Sequence, residues 1–137
     1  MTFVQSPTCY LAIPSGPEFA PVRQAVIDAL RESHVEVAEA ANLRMRGPSS
    51  PPAIEKADLV IADVTGSDRT ILYELGAASA LRKPTLMIAQ EKTDLPADFA
   101  SLQVALYRPQ ELPKLVEFLR YWIENTIALQ RGRYAPA

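Results

Sequence analysis

Two carboxylates six residues apart, Asp68 and Glu74, stand in the run Asp68-Arg69-Thr70-Ile71-Leu72-Tyr73-Glu74-Leu75-Gly76. Leu75, Gly76, Ala77 and Ala78 after Glu74 are apolar or small, so a helix through them is expected to be largely covered. Burial raises the pKa of a carboxyl group and costs stability unless a partner or a task compensates. Such a group can act as a nucleophile, or stabilise an oxocarbenium ion by its charge. The other reading of Glu74 is a partly exposed helical glutamate paired with Arg69 or Arg82. Asp68 is either the N-cap of the helix that carries Glu74, or a second carboxylate that moves a proton to a leaving base or holds a sugar hydroxyl. Asp63 closes the run Asp58-Leu59-Val60-Ile61-Ala62-Asp63 and either reaches a ligand or hydrogen-bonds its own turn. Gly16, in Ser15-Gly16-Pro17, permits close approach of a ligand to the backbone. The amides that follow could hold a phosphate, although Pro14 and Pro17 remove two donors.

Other chemistries are excluded by what the chain lacks. One cysteine, Cys9, and one histidine, His34, leave no disulfide framework and no multi-thiolate or multi-histidine metal site. Neither a dinucleotide fingerprint nor a P-loop pattern occurs. A net charge of −2 and a pI near 5.4 argue against a dedicated nucleic-acid binder. Cys9 reads as core. His34 reads as a helix-end residue near terminal carbonyls or a surface interaction residue, and Arg44 and Arg46 as solvated loop charges or phosphate ligands. No apolar run approaches the roughly 20 residues of a membrane span, and Met1-Thr2-Phe3-Val4-Gln5 lacks the features of a signal peptide, so a cytoplasmic protein is expected.

The elements that must position these groups follow from hydrophobic pattern. With 137 residues, 48% of them hydrophobic and 22% charged, the chain is expected to form one globular domain over 1–137. Short apolar runs at 8–13, 58–64 and 84–89 read as strands covered on both faces, Val35-Glu36-Val37-Ala38 as a short second strand near an edge because Glu36 interrupts it, and 102–107 as a fifth, edge-proximal strand. Helical spacing predicts helices over 20–33, 70–82 and 110–130, and Ser50 followed by Pro51 is a helix-start signal for a short helix over 51–57, with loops over 40–52 and 90–101. The wide apolar side of the last helix, with Trp122 and Tyr121, reads mainly as core and hints at a subunit interface. Strand–helix alternation implies a flavodoxin-like, doubly wound α/β fold with five parallel strands in the order 2-1-3-4-5. The ligand crevice is then expected beyond the carboxyl ends of strands 1 and 3. The loops there, 14–19, 65–69 and 90–95, present Ser15, Glu18, Thr65, Ser67, Asp68 and Arg69.

The segment Ala57-Asp58-Leu59-Val60-Ile61-Ala62-Asp63-Val64-Thr65-Gly66, followed by Tyr73-Glu74-Leu75-Gly76 and Lys83-Pro84, resembles the nucleoside 2-deoxyribosyltransferase-like superfamily. It is also similar to bacterial TIR-like nucleotide-binding proteins, which share the flavodoxin-like fold. The resemblance is sharp over 54–90, looser over strand 1 and the Ser15-Gly16 loop, and architectural beyond 100. It implies cleavage or transfer at the N-glycosidic bond of a nucleoside or nucleotide. Glu74 matches the glycosyl-accepting glutamate of an E-L-G motif, Asp68 an aspartate that helps the base or sugar, and Asp63 falls near another carboxylate of the site. Ser15, Gly16, Asp63, Thr65 and Gly66 would bind substrate. Related members hydrolyse the bond, and TIR enzymes cleave nicotinamide from NAD with a glutamate.

Two departures accompany the match. Asp68-Arg69-Thr70 stands where relatives often carry Asn-Pro-Asn. The tyrosine that orients the nucleophile in the transferases finds no counterpart, since Tyr10 falls early in strand 1 and Tyr73 points elsewhere on its helix. The expected partners are a nucleoside, a nucleotide or NAD as substrate, with no cofactor, metal, nucleic-acid polymer or membrane, in a homodimer or larger homo-oligomer. The rival readings are a TIR-like NAD hydrolase and a non-catalytic nucleotide-sensing or interaction module. A flavin-binding electron carrier fits the fold alone, and the first loop lacks the Ser/Thr-rich phosphate cradle it would need.

Overall fold

The computed structural model describes residues 6–38, 50–92 and 104–134. Its strands are β1 (Thr8–Ala12), β2 (Glu36–Ala38), β3 (Leu59–Asp63), β4 (Thr85–Gln90) and β5 (Val104–Tyr107). Its helices are α1 (Ala20–Glu32), α2 (Ser50–Lys56), α3 (Arg69–Ala80) and α4 (Leu112–Tyr134). All paired strands run parallel in the order β2-β1-β3-β4-β5, which is the flavodoxin-like sheet.

The sheet has a core on each face, which is why β1, β3 and β4 are continuous apolar runs rather than alternating ones. Leu11, Ile61 and Ile88 point to one face, where they meet Val26 and Leu30 of α1 and Leu119 and Ile123 of α4. Tyr10, Val60, Ala62 and Met87 point to the other, where they meet Ile54 of α2 and Ile71, Leu75 and Ala78 of α3. On α4 the buried positions Leu115, Leu119, Ile123 and Ile127 recur every four residues, one stripe against the sheet. Tyr121 lies off that stripe and is 69% exposed, which corrects its assignment to the core. Trp122 is half-buried at the edge of the stripe.

Two helices stop for the same backbone reason. At the end of α1 the His34 amide donates to the Arg31 carbonyl and the Val35 amide to the Leu30 carbonyl. After α3 the Arg82 and Lys83 amides do the same to Ser79 and Ala78. These paired six-to-one and five-to-two bonds form Schellman caps, and they require a left-handed residue, met by His34 (φ 59°) and Arg82 (φ 56°). The cap ends α3 at Ala80, short of the expected 82. His34 is thus an exposed helix-end residue, and Cys9 is fully buried with burial pushing its thiol pKa up. Arg44 and Arg46, residues 40–49 of the expected loop, 93–101, and residues 102–103 of the expected fifth strand lie outside the described residues. Among the described residues no helix is long and apolar enough to cross a membrane.

Candidate functional site

β1 and β3 are neighbours, yet the helices that follow them pack on opposite faces of the sheet. In an open parallel sheet such a divergence marks the switch point where ligands bind, at the carboxyl ends of the two strands, and α3 begins there. Ile71, Glu74, Leu75 and Ala78 form the buried stripe of α3, with the i, i+3, i+4, i+7 spacing of a sheet-facing surface. Glu74 therefore points into the protein by helical geometry alone, and it is 0% exposed. The burial overturns the reading of Glu74 as a partly exposed helical glutamate.

The partner that receives it comes from β1. Tyr10 and Ala12 share the face that α3 covers, and the Tyr10 hydroxyl donates to Glu74 Oε2. Ala12 and Ala62, paired in register two residues further along the same face, keep that end of it small. Burial pushes the Glu74 carboxyl up from 4.5 to about 7. A donated hydrogen bond favours the ionised form, so the Tyr10 hydroxyl opposes burial here. Tyr10 thus touches the glutamate that sequence reasoning left without an orienting tyrosine. The available signal was a lone phenol in an apolar strand, because a buried tyrosine hydroxyl needs a partner. Tyr73, by contrast, is 49% exposed and points away.

Asp68 caps α3: its Oδ1 accepts from the Thr70 amide at 2.8 Å and the Ile71 amide at 3.1 Å. The residue is exposed on the rim, about 9 Å above Glu74 along the helix axis at 1.5 Å per residue. Asp63 is fully buried and hydrogen-bonds its own turn, with Oδ1 accepting from the Thr65 amide at 2.9 Å. Its Oδ2 accepts from the Tyr107 hydroxyl at 2.5 Å. Burial holds the Asp63 carboxyl above its usual range against these bonds, and it raises the Tyr107 phenol as well. Thr65 continues the chain of contacts, its hydroxyl accepting from the Gln90 amide at 2.9 Å. Asp63 and Thr65 therefore brace the turn from which α3 departs. The turn passes through left-handed backbone at Gly66 (φ 78°) and Ser67 (φ 53°).

Beyond the carboxyl end of β1, Ser15 is exposed and Gly16 half-buried at the start of the short 3-10 turn Pro17–Phe19. Gly16 has an ordinary φ of −59°, and the atoms a Cβ there would meet first belong to the movable Glu18 carboxylate. The fold itself does not demand glycine at this position. Clefts of about 650 and 600 Å³ flank β5 and Arg108, and one of about 570 Å³ lies at the start of β4; Glu74 lines none of these three. Among the described residues no group of three or more potential ligands could hold a metal ion.

No protein-family model matches the sequence, and no curated protein matches it. Among solved structures, the chain is similar to the Clostridium botulinum CMP N-glycosidase BcmB, with a TM-score of 0.60 and 24% identity. The match covers 79% of this chain and 97% of that one. A CheY-like response regulator receiver domain from Methanospirillum hungatei JF-1 aligns at a TM-score of 0.48 and 16% identity, over 86% of this chain and 98% of its own. The first likeness bears on the fold alone: over nearly its whole length that chain shares this framework.

Proposed function

We propose that this chain cleaves the N-glycosidic bond of a nucleoside or nucleotide, with Glu74 as nucleophile or as the anion that stabilises the oxocarbenium ion. The observation that carries the reading is a carboxyl group at 0% exposure, held by Tyr10 below the switch-point crevice. A glutamate with no task would lie on the solvent side of α3, where its charge costs nothing; strongly perturbed buried carboxyls concentrate at functional sites. In this reaction the C1′–N bond breaks and its electron pair leaves with the base. The sugar carbon meets the Glu74 carboxylate, and water supplies a hydroxyl to C1′ and a proton to the base.

In this reading Asp68, on the rim, assists the base or a sugar hydroxyl through the part of its carboxylate that does not cap α3. Ser15 and Gly16 contact sugar or phosphate from the opposite wall. Asp63, Thr65 and Gly66 shape the turn that faces the substrate. The CMP in the neighbour's name makes a pyrimidine nucleoside monophosphate the first compound to try.

The test is incubation of the pure chain with a panel of nucleosides, nucleoside monophosphates and NAD, with free base measured by chromatography. Base release that falls by at least about 100-fold in Glu74→Gln is the expected result. Nicotinamide release from NAD alone would redirect the substrate to NAD. A thermal shift with nucleotide but no base release would replace the enzyme by a nucleotide-sensing module. Base release unchanged in Glu74→Gln would remove Glu74 from the chemistry.

A further inference from the structure

β5 pairs with β4 only from Met87 onward, so on the side away from β3 the first residues of β4 have no strand beside them among the described residues. α3 and α4 lie on opposite faces of the sheet, and beside the start of β4 their flanks bound a common cleft of about 570 Å³. It sits at the amino-terminal end of the strands, away from the crevice above Glu74. Leu75, on the neighbouring helical position to Glu74, borders it from α3.

The chemistry of the lining is one-sided. Leu75 and Met87 are buried apolar surface, and Trp122 offers a half-buried indole. Arg82 and Lys83 stand at the mouth, and no aspartate or glutamate lines the cleft, although the chain as a whole carries a charge of −2. The Thr85 and Thr126 hydroxyls donate to the Lys83 and Trp122 carbonyls, and the Gln130 amide donates to the Asp58 carbonyl. Lys83 Nζ donates to the Glu55 carbonyl at 2.7 Å, which holds the ammonium in place with two protons left. The strong donors left for a guest are thus cationic, beside an aromatic face. A volume of this size is within the range of small-molecule sites.

We propose that this cleft is a second ligand site, separate from Glu74, that takes a flat aromatic anion. The ring packs on Trp122 over Met87 and Leu75, and the carboxylate, sulfonate or phosphate meets the Arg82 guanidinium, whose planar fork suits such oxyanions.

Trp122 is the chain's sole tryptophan, so its emission reports occupancy directly. The probe is anilinonaphthalene sulfonate, titrated into the full chain with energy transfer from Trp122 as the signal. The control is N-phenylnaphthylamine, which has the same rings and no sulfonate. Saturable transfer is expected, with the sulfonate preferred and its Kd raised at least about tenfold by Arg82→Glu. Ser79→Glu, which places a carboxylate at another exposed position of the cleft, weakens binding in the same direction. Glu74→Gln leaves it unchanged, so the result stands whether or not the chain releases a base. No saturable transfer, equal binding of the neutral ring, or indifference to both acidic variants overturns the proposal.

Discussion

Two influences oppose each other on the Glu74 carboxyl. Desolvation raises its pKa to about 7, while the Tyr10 hydroxyl, by donating to Oε2, supports the anion. A nucleophile must be ionised, so the proposed base release rises with pH through about 7 and levels off above it. Tyr10→Phe removes the donor and leaves the burial. A hydrogen bond to a charged group contributes about 1.5–3 kcal/mol, so the rising limb moves up by about one pH unit or more. Titration of the Glu74 carboxyl by isotope-edited NMR in Tyr10→Phe checks the same shift without any turnover. An unmoved midpoint would mean that Tyr10 fills space and does not tune the acid. Glu74 itself was legible in the sequence, because a lone acid on an apolar, small-residue helix face is a local pattern. Its contact with Tyr10 was not: the two are 64 positions apart, and only the packing of α3 across β1 makes them neighbours.

α3 depends on one residue at its entry, and the two readings of Asp68 make different demands on it. As N-cap it needs an acceptor oxygen, which asparagine also supplies; as a catalytic assistant it needs charge. Asp68→Ala is expected to lower stability by about 1 kcal/mol in urea denaturation, and Asp68→Asn to lower it by a few tenths at most. If base release falls in Asp68→Asn while stability holds, the charge serves the reaction. If only Asp68→Ala is affected, in both measurements together, the residue acts as a cap alone. The helix starts were readable because capping is local chemistry: the Ser50-Pro51 signal stands at the start of α2, and Asp68 caps α3. The ends read less well. His34 and Arg82 occupy left-handed positions that glycine favours, so neither announces a stop, and the α3 terminus was placed two residues late. The sheet order was legible for a different reason. Parallel strands covered on both faces must be continuous apolar runs, and right-handed crossovers leave few orders for five of them.

Across the whole molecule, two buried carboxyls with raised pKa values tie folding to pH in the same direction. Below about pH 4.5, Glu74 is protonated in the folded and unfolded chain alike, and its burial as a neutral acid weighs nothing further. Between 4.5 and about 7 the unfolded chain releases that proton and the folded chain keeps it, so stability falls as pH rises. Above about 7 the loss is complete and amounts to about 3 kcal/mol, at roughly 1.4 kcal/mol per pH unit. Asp63 adds to the decline in the same sense, starting from its ordinary value of 3.8. Glu74→Gln cannot ionise, so its stability relative to the natural chain should climb by about 3 kcal/mol between about pH 4.5 and pH 8, whatever fixed cost the amide carries. Urea denaturation of both chains across that range measures the difference directly. A flat difference would mean that Glu74 titrates normally in the fold, and the dry niche on which the glycosidic chemistry depends would not exist. A rising difference places destabilisation at the position proposed for catalysis, as expected where a site is strained for function.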